Sequence, residues 1–132
     1  IIRSLGCLGD FAIVLPTKES VSVTEAVLRV ASGGENYIRL SQVSNLGKAV
    51  VKARDAGFWI AGSVVQDGED LMNTKLQFPL GLVLGSEQKG IRDIIKKHLD
   101  LKVTIPMAKE RMSLNVAQAA TIFAYEITKQ KN

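Results

Sequence analysis

The hexapeptide Gly85-Ser86-Glu87-Gln88-Lys89-Gly90 opens and closes on glycine at the spacing of a phosphate-binding loop. In that loop a lysine follows the second glycine to neutralise phosphate, and a hydroxyl follows the lysine to hold magnesium. Here Ile91 and Arg92 occupy those places. No expected strand leads into a Gly-x-Gly-x-x-Gly turn either, so the dinucleotide fingerprint is missing. Nucleotide hydrolysis and hydride transfer therefore have no motif to stand on. What the hexapeptide offers is backbone that can approach a ligand without a Cβ in the way, and one carboxylate, Glu87. That carboxylate either serves a ligand or does something plainer, pairing with Lys89 or capping the next helix. The single cysteine, Cys7, excludes an intramolecular disulfide. With the single histidine, His98, it leaves too few soft ligands for zinc, so no metal site is expected.

The elements that would position this loop alternate between short β-branched runs and stretches of helical period. Phe11 to Leu15 reads as a buried strand stopped by Pro16. Thr24 to Ala31 reads as a helix ended by Gly33-Gly34, and Tyr37 to Leu40 as a short strand. A helix from Leu46 to Ala56 places Leu46, Ala49, Val50 and Ala53 on one face, with Ser44 or Asn45 before it and Gly57 at the left-handed C-cap. Phe58 to Val65 is a strand with Trp59 in the core, and Leu80 to Gly85 is another. A helix over Ile91 to Leu99, a strand over Lys102 to Ile105 and a closing helix over Leu114 to Lys129 complete the pattern. Continuous apolar strands alternating with helices imply an α/β fold, a parallel sheet of about five or six strands with helices on both faces. Ligands of such sheets bind beyond the carboxyl ends of the strands. That rule selects three exits: Ala61-Gly62-Ser63, Gly85-Ser86-Glu87, and Pro106-Met107 onward.

A chain of 132 residues has room for one domain, and 46% hydrophobic against 23% charged residues suits a stable core. The charge balance, 17 basic less 13 acidic residues, is +4, which permits an anionic partner without demanding one. No apolar run approaches the roughly 18 residues of a membrane span, and Ile1 to Asp10 lacks the layout of a signal peptide. A cytoplasmic location and no membrane partner are the expectation. The chain opens on Ile1 rather than Met, as a piece of something longer would.

Two segments carry a resemblance. "LVLGSEQKGI" followed about twenty residues later by "IPMAKERMSLNVAQAA" is similar to the second and third signature motifs of the SpoU/TrmH family, the RNA ribose 2'-O-methyltransferases of the SPOUT superfamily. "IIRSLGCLGDFAIVLP" resembles the tail of the family's first motif, and "ASGGE", "NLGKAVVKARDAGFWIAG" and the terminal "YE" fall at family-like places. The resemblance implies one SpoU-type catalytic domain over residues 1–132. The chain would begin within the first motif, with any N-terminal RNA-binding domain absent from it. It implies a SPOUT-type α/β fold whose C-terminal segment threads into a trefoil knot, a feature no periodicity reaches.

It also implies S-adenosylmethionine as cofactor. Gly85, Ile105 and Leu114 match the family's backbone cradle, with Gly62, Leu84, Met107 and Ser113 nearby. Taken one by one, Ile105, Met107 and Leu114 are equally ordinary core residues; as a set at strand exits they suit a flat apolar slot. Arg3 matches the first-motif arginine beside the ribose 2'-hydroxyl, acting as base or as phosphate clamp. A guanidinium is hard to deprotonate, which favours the clamp. Ser113 and Asn115 match the third-motif polar pair, Ser113 also capping the last helix and Asn115 orienting Arg3 or the ribose. Glu87 would lie close by and orient Arg3. The family's partners are RNA (ribosomal RNA or tRNA) and a second copy, a homodimer formed through the last helix, where Ala117, Ala119, Ala120 and Ala124 leave a small-residue surface. Gln88 and Lys109 stand where the family has glycine, the lysine adding positive charge beside a sulfonium. The alternative is a catalytically degenerate relative that serves as an RNA-binding or assembly module.

Overall fold

The structure, a computed structural model, describes residues 7, 11–16, 39–85, 90–108 and 114–131. The helix expected over Thr24 to Ala31 lies outside them. The chain divides into two compact units, Ile1–Leu46 and Gly47–Asn132.

In the first unit, strands β1 (Ala12–Pro16) and β2 (Arg39–Val43) pair in parallel, from Ala12 opposite Arg39 to Pro16 opposite Val43. The strand expected from Phe11 to Leu15 is therefore shifted by one residue and is not buried. Val14 is 45% exposed, while Ile13 and Leu15 are half-covered. Pro16 is accommodated as the last residue of the strand, where the ladder asks least of its missing N–H. β2 extends three residues beyond the expected end at Leu40, through the polar pair Ser41-Gln42. Pairing with β1 outweighs their weak strand preference.

Helix α1 (Leu46–Asp55) belongs to the second unit from Gly47 onward; along it Val50 is buried and Leu46, Ala49 and Ala53 are half-buried. It ends as its sequence requires. Gly57 has φ +101, its N–H donates to Arg54 O at 2.9 Å, and Phe58 N–H donates to Ala53 O at 3.0 Å. This pair of bonds is a Schellman cap, and its left-handed residue favours glycine.

Strands β3 (Trp59–Ser63), β4 (Glu69–Asp70), β5 (Leu80–Leu84) and β6 (Leu101–Thr104) form a second sheet in the order β4-β6-β3-β5, parallel throughout. Where the periodicity led to one sheet of five or six strands, the described strands form two. β4 was not foreseen, since two acidic residues carry no strand signal; it exists because it pairs with β6. Ile60, Ala61 and Val103 fill the centre at 2%, 1% and 0% exposure. Trp59, expected in the core, is 44% exposed, because it is the first residue of β3 and sits at the rim of the sheet. The start of β6 is fixed to β3 by Asp100, whose carboxylate accepts from Ile60 N–H at 2.9 Å and pairs with Arg54 at 3.2 Å.

Two further expectations are corrected. The helix expected over Ile91 to Leu99 is a single turn, α2 (Asp93–Lys96), preceded by extended Arg92 and followed by tight bonds from His98 N–H to Ile95 O and from Leu99 N–H to Lys96 O. Ile91 is buried outside it. The last helix, α3, spans Val116–Lys131 and not Leu114 to Lys129. It buries Ala120, Phe123, Ala124 and Ile127, the i, i+3, i+4, i+7 stripe of an amphipathic helix. Burying the Phe123 and Ile127 side chains stabilises the unit by roughly 2 kcal/mol each.

The far end of α3 is latched by one side chain. Gln130 Oε1 accepts from Leu76 N–H at 2.8 Å, and its Nε2 donates to Thr74 O at 2.9 Å. The amide thus pairs with the 74–76 backbone as a neighbouring strand would. Gln130→Ala leaves a donor and an acceptor beside buried Leu76 and Thr74 without partners. We expect a stability loss of about 2 kcal/mol, read by urea unfolding with an unchanged m-value.

Candidate functional site

The parallel sheet brings the carboxyl ends of its strands to one pole, and the register makes them level there. Ser63 lies opposite Leu84 on one side and Val103 on the other. Val103 in turn lies opposite Glu69. Between Ser63 and Glu69 the chain therefore passes from one side of β6 to the other, so that residues 64–68 form a strap across the end of that strand. Three details fasten the strap. Val64 N–H donates to Val103 O at 2.9 Å, and Thr104 Oγ1 donates to Val65 O at 3.1 Å. At Gly68 a Cβ would come within 3.0 Å of Thr104 N and Val103 C, so the strap lies too close to β6 for a side chain there.

Beside the strap is a half-open pocket lined by Ser63, Val64, Val65, Thr104, Ile105, Met107, Leu114 and Ala119. Each wall has its own element: the exit of β3, the exit of β6, and the segment that leads into α3. Outside the helices and strands, no backbone hydrogen bond between described residues involves Ile105, Met107 or Leu114. Aliphatic walls with backbone donors and acceptors suit a ligand with a flat apolar face and a polar edge.

Of the residues singled out from the sequence, Ile105, Met107 and Leu114 come together in this pocket. Gly62, Leu84 and Gly85 do not line it. Gly62 is glycine because Leu99 and Ile91 pack against it, a Cβ there meeting Leu99 Cδ1 at 2.5 Å and Ile91 Cδ1 at 3.0 Å. Gly85 lies against the backbone of Gly90 and Ile91, where a Cβ would sit 2.6 Å from Ile91 N. Leu84 closes β5 half-buried, opposite Ser63. Arg3, Glu87 and Ser113, with Gln88 and Lys109, lie outside the described residues.

The expectation that Ser113 caps the last helix falls on a residue outside the described ones, and within them Asn115 serves as a cap. α3 begins at Val116, and Asn115 Oδ1 accepts from Gln118 N–H at 2.8 Å, three residues on, as an N-cap does. With Oδ1 committed to the helix, the Asn115 amide nitrogen is the group left to donate outward. Sequence reasoning missed Ser63, Val64, Val65, Thr104 and Ala119. The strand-exit rule pointed at Ser63, but the β-branched pair after it read as more strand, and Ala119 read as a surface for another helix. Among the described residues no group of three His, Cys, Asp or Glu side chains is placed to hold a metal ion, and no helix is long and apolar enough to cross a membrane.

Comparison with known proteins gives a consistent answer. A sequence model of the SpoU rRNA Methylase family matches residues 1–125. An uncharacterized tRNA/rRNA methyltransferase of Synechocystis is 37% identical over 131 residues, which is 99% of this chain and 34% of that protein. YacO of Bacillus subtilis, assigned to the TrmH family of tRNA/rRNA methyltransferases, is 32% identical over all of this chain and 53% of its own length. The chain thus spans between a third and about half of these relatives. Among solved structures, the SpoU methyltransferase AviRb from Streptomyces viridochromogenes, in complex with the cofactor AdoMet, superposes with a TM-score of 0.87 at 27% identity. That match covers 99% of this chain and 54% of AviRb.

Proposed function

As the chain belongs to the SpoU rRNA Methylase family, we propose that it is the catalytic part of an S-adenosylmethionine-dependent enzyme that methylates a ribose 2'-hydroxyl of ribosomal RNA or tRNA. The observation that carries this reading is the pocket at the strand exits, where Ile105, Met107 and Leu114, three positions matching the family's cofactor cradle and its surroundings, come together. The lining fits the cofactor: aliphatic walls for the adenine faces, and backbone groups at Ile105, Met107 and Leu114 for its edge. That AviRb, 27% identical, was crystallised with AdoMet adds support. When bound, the cofactor supplies a methyl group on a sulfonium, which departs as a neutral thioether.

The residues of the chain then have three tasks. Ile105, Met107 and Leu114 hold the donor and exclude water from it. Arg3 clamps the RNA phosphate beside the 2'-hydroxyl and stabilises the oxygen as its proton passes to solvent water, with Glu87 orienting the guanidinium. Ser113 and Asn115 orient the ribose, the Asn115 amide nitrogen being available for this because Oδ1 caps α3. Gly85 and Gly62 contribute by keeping the loop ends and β3 close-packed. Alignment of the acceptor oxygen is itself a large share of the work, since no covalent intermediate is needed.

Two structural parts of the reading go with it. The strap of residues 64–68 across β6 is what a C-terminal trefoil knot would be built around, and supports that topology. The exposed face of α3 carries Ile122 at 40% and Tyr125 at 65% exposure, an apolar surface suited to the homodimer. A cytoplasmic enzyme acting on RNA is the setting this implies.

The test incubates the protein with methyl-labelled S-adenosylmethionine and ribosomal RNA or tRNA, then identifies the labelled nucleoside after digestion. A 2'-O-methylnucleoside is expected, and a base-methylated one overturns the assignment. Arg3→Ala is expected to lower transfer roughly tenfold or more while donor affinity stays unchanged, because one charge-assisted contact is lost. Donor binding without any transfer would favour the RNA-binding or assembly module.

A further inference from the structure

We propose that Thr104 is a positioning residue for the methyl donor, acting through the strap rather than by touching the reacting atoms. This rests on the reading of the pocket given above. Val64 and Val65 form one wall of that pocket and belong to the strap, not to the sheet. Among the described residues, the last sheet-like bond holding this wall is Val64 N–H to Val103 O. Beyond it, the position of Val65 depends on the Thr104 hydroxyl, which donates to Val65 O at 3.1 Å across 39 residues of sequence. Val65 is 59% exposed, so little packing holds it otherwise. Asp67 follows with φ +63, a backbone state that costs energy outside glycine and is maintained here by the anchored ends of the strap. Thr104 also lines the pocket, so its hydroxyl links the β6 wall to the β3 wall at the point where both face the ligand. Removing that link lets the Val65 wall drift, and a ligand must then reorder it on binding.

The hydroxyl can be deleted without changing shape, because valine keeps the β-branch and suits a strand end. In Thr104→Val we expect the dissociation constant and the KM for S-adenosylmethionine to rise about fivefold, the effect of one ordinary hydrogen bond. The value of kcat should stay within about twofold, since the reacting groups are untouched. Thr104→Ser, which restores the hydroxyl, should bind within about twofold of the parent. Calorimetry and transfer kinetics on the three proteins read these values. Thr104→Val with unchanged donor affinity overturns the proposal while leaving the pocket reading intact. A serine variant as weak as the valine one also overturns it, by showing that the methyl group mattered and not the hydroxyl. A parent protein that does not bind the donor removes the pocket reading and this proposal together.

Discussion

Ala119→Leu is expected to weaken binding of S-adenosylmethionine at least a hundredfold while leaving the fold intact. Ala119 lies in the first turns of α3, its N–H donating to Asn115 O at 3.0 Å, and its methyl group lines the pocket facing Ile105, Met107 and Leu114. Leucine adds three carbons at a wall that has to meet the ligand closely, so its side chain takes the space the adenine requires. The cost of displacing it exceeds what a few apolar contacts return, which places the loss at about 3 kcal/mol or more in binding. Stability should hardly change. Leucine is nearly as good a helix former as alanine, and the site is half-open, so no buried neighbour is pushed aside. Calorimetry would measure the affinity and thermal unfolding the stability, with Ala119→Ser as the small control that retains binding. Full affinity in Ala119→Leu would mean that the ligand sits elsewhere.

Gly85→Ala is the change with the largest effect on stability. The missing side chain at Gly85 is a condition of close packing between two stretches of backbone. A Cβ there would meet Gly90 C, would stand 2.6 Å from Ile91 N and would stand 2.7 Å from Gly90 Cα. Backbone cannot rotate out of the way as a side-chain tip can, so either β5 or the start of the Ile91 segment has to move. Ile91 is buried, and its Cδ1 packs over Gly62, so the displacement would be felt in the centre of the sheet. A loss of about 3 kcal/mol is expected, or a fall of roughly 10 °C in thermal midpoint for a domain of this size. Gly62→Ala makes the comparison informative. Its nearest obstacle is the movable tip of Leu99, so it should cost clearly less. Equal losses at the two glycines would show that the distinction between backbone and side-chain obstruction does not hold here.

The chemistry of the candidate site was partly legible because strand exits are readable. Ile105, Met107 and Leu114 follow or precede punctuating residues, and the rule for parallel sheets draws the eye to such places. Val64 and Val65 escaped for the opposite reason. After Trp59–Ser63 they are a β-branched pair extending a strand, and local preference says more strand. The chain leaves the sheet there to cross β6, distant in sequence, and reach β4 on its far side. A similar long-range cause created β4 from Glu69–Asp70, where local preference says loop. Glycines were legible as important but not for their purpose. Gly57 stands at a helix end and could be read from its neighbours, whereas Gly62 and Gly85 answer to Leu99 and to Gly90–Ile91, contacts invisible in a linear pattern. Asn115 illustrates the limit at a helix start. Its capping role follows from a boundary at Val116, two residues later than periodicity places it.

The placing of Leu101–Thr104 has a consequence for how the protein reaches its native state. β3 and β4 are separated by five residues of chain, residues 64–68, yet the strand between them is supplied some thirty residues later. Until it arrives, both carry unpaired ladder groups toward an empty slot, an arrangement open to wrong pairing. Assembly therefore cannot proceed as a sequential zipper from the amino end. It waits for a late segment to find an interior berth, a search over long loops that topology makes slow. A polypeptide emerging from the ribosome stays open to wrong pairing until Leu101–Thr104 has cleared the exit tunnel and can fill that slot.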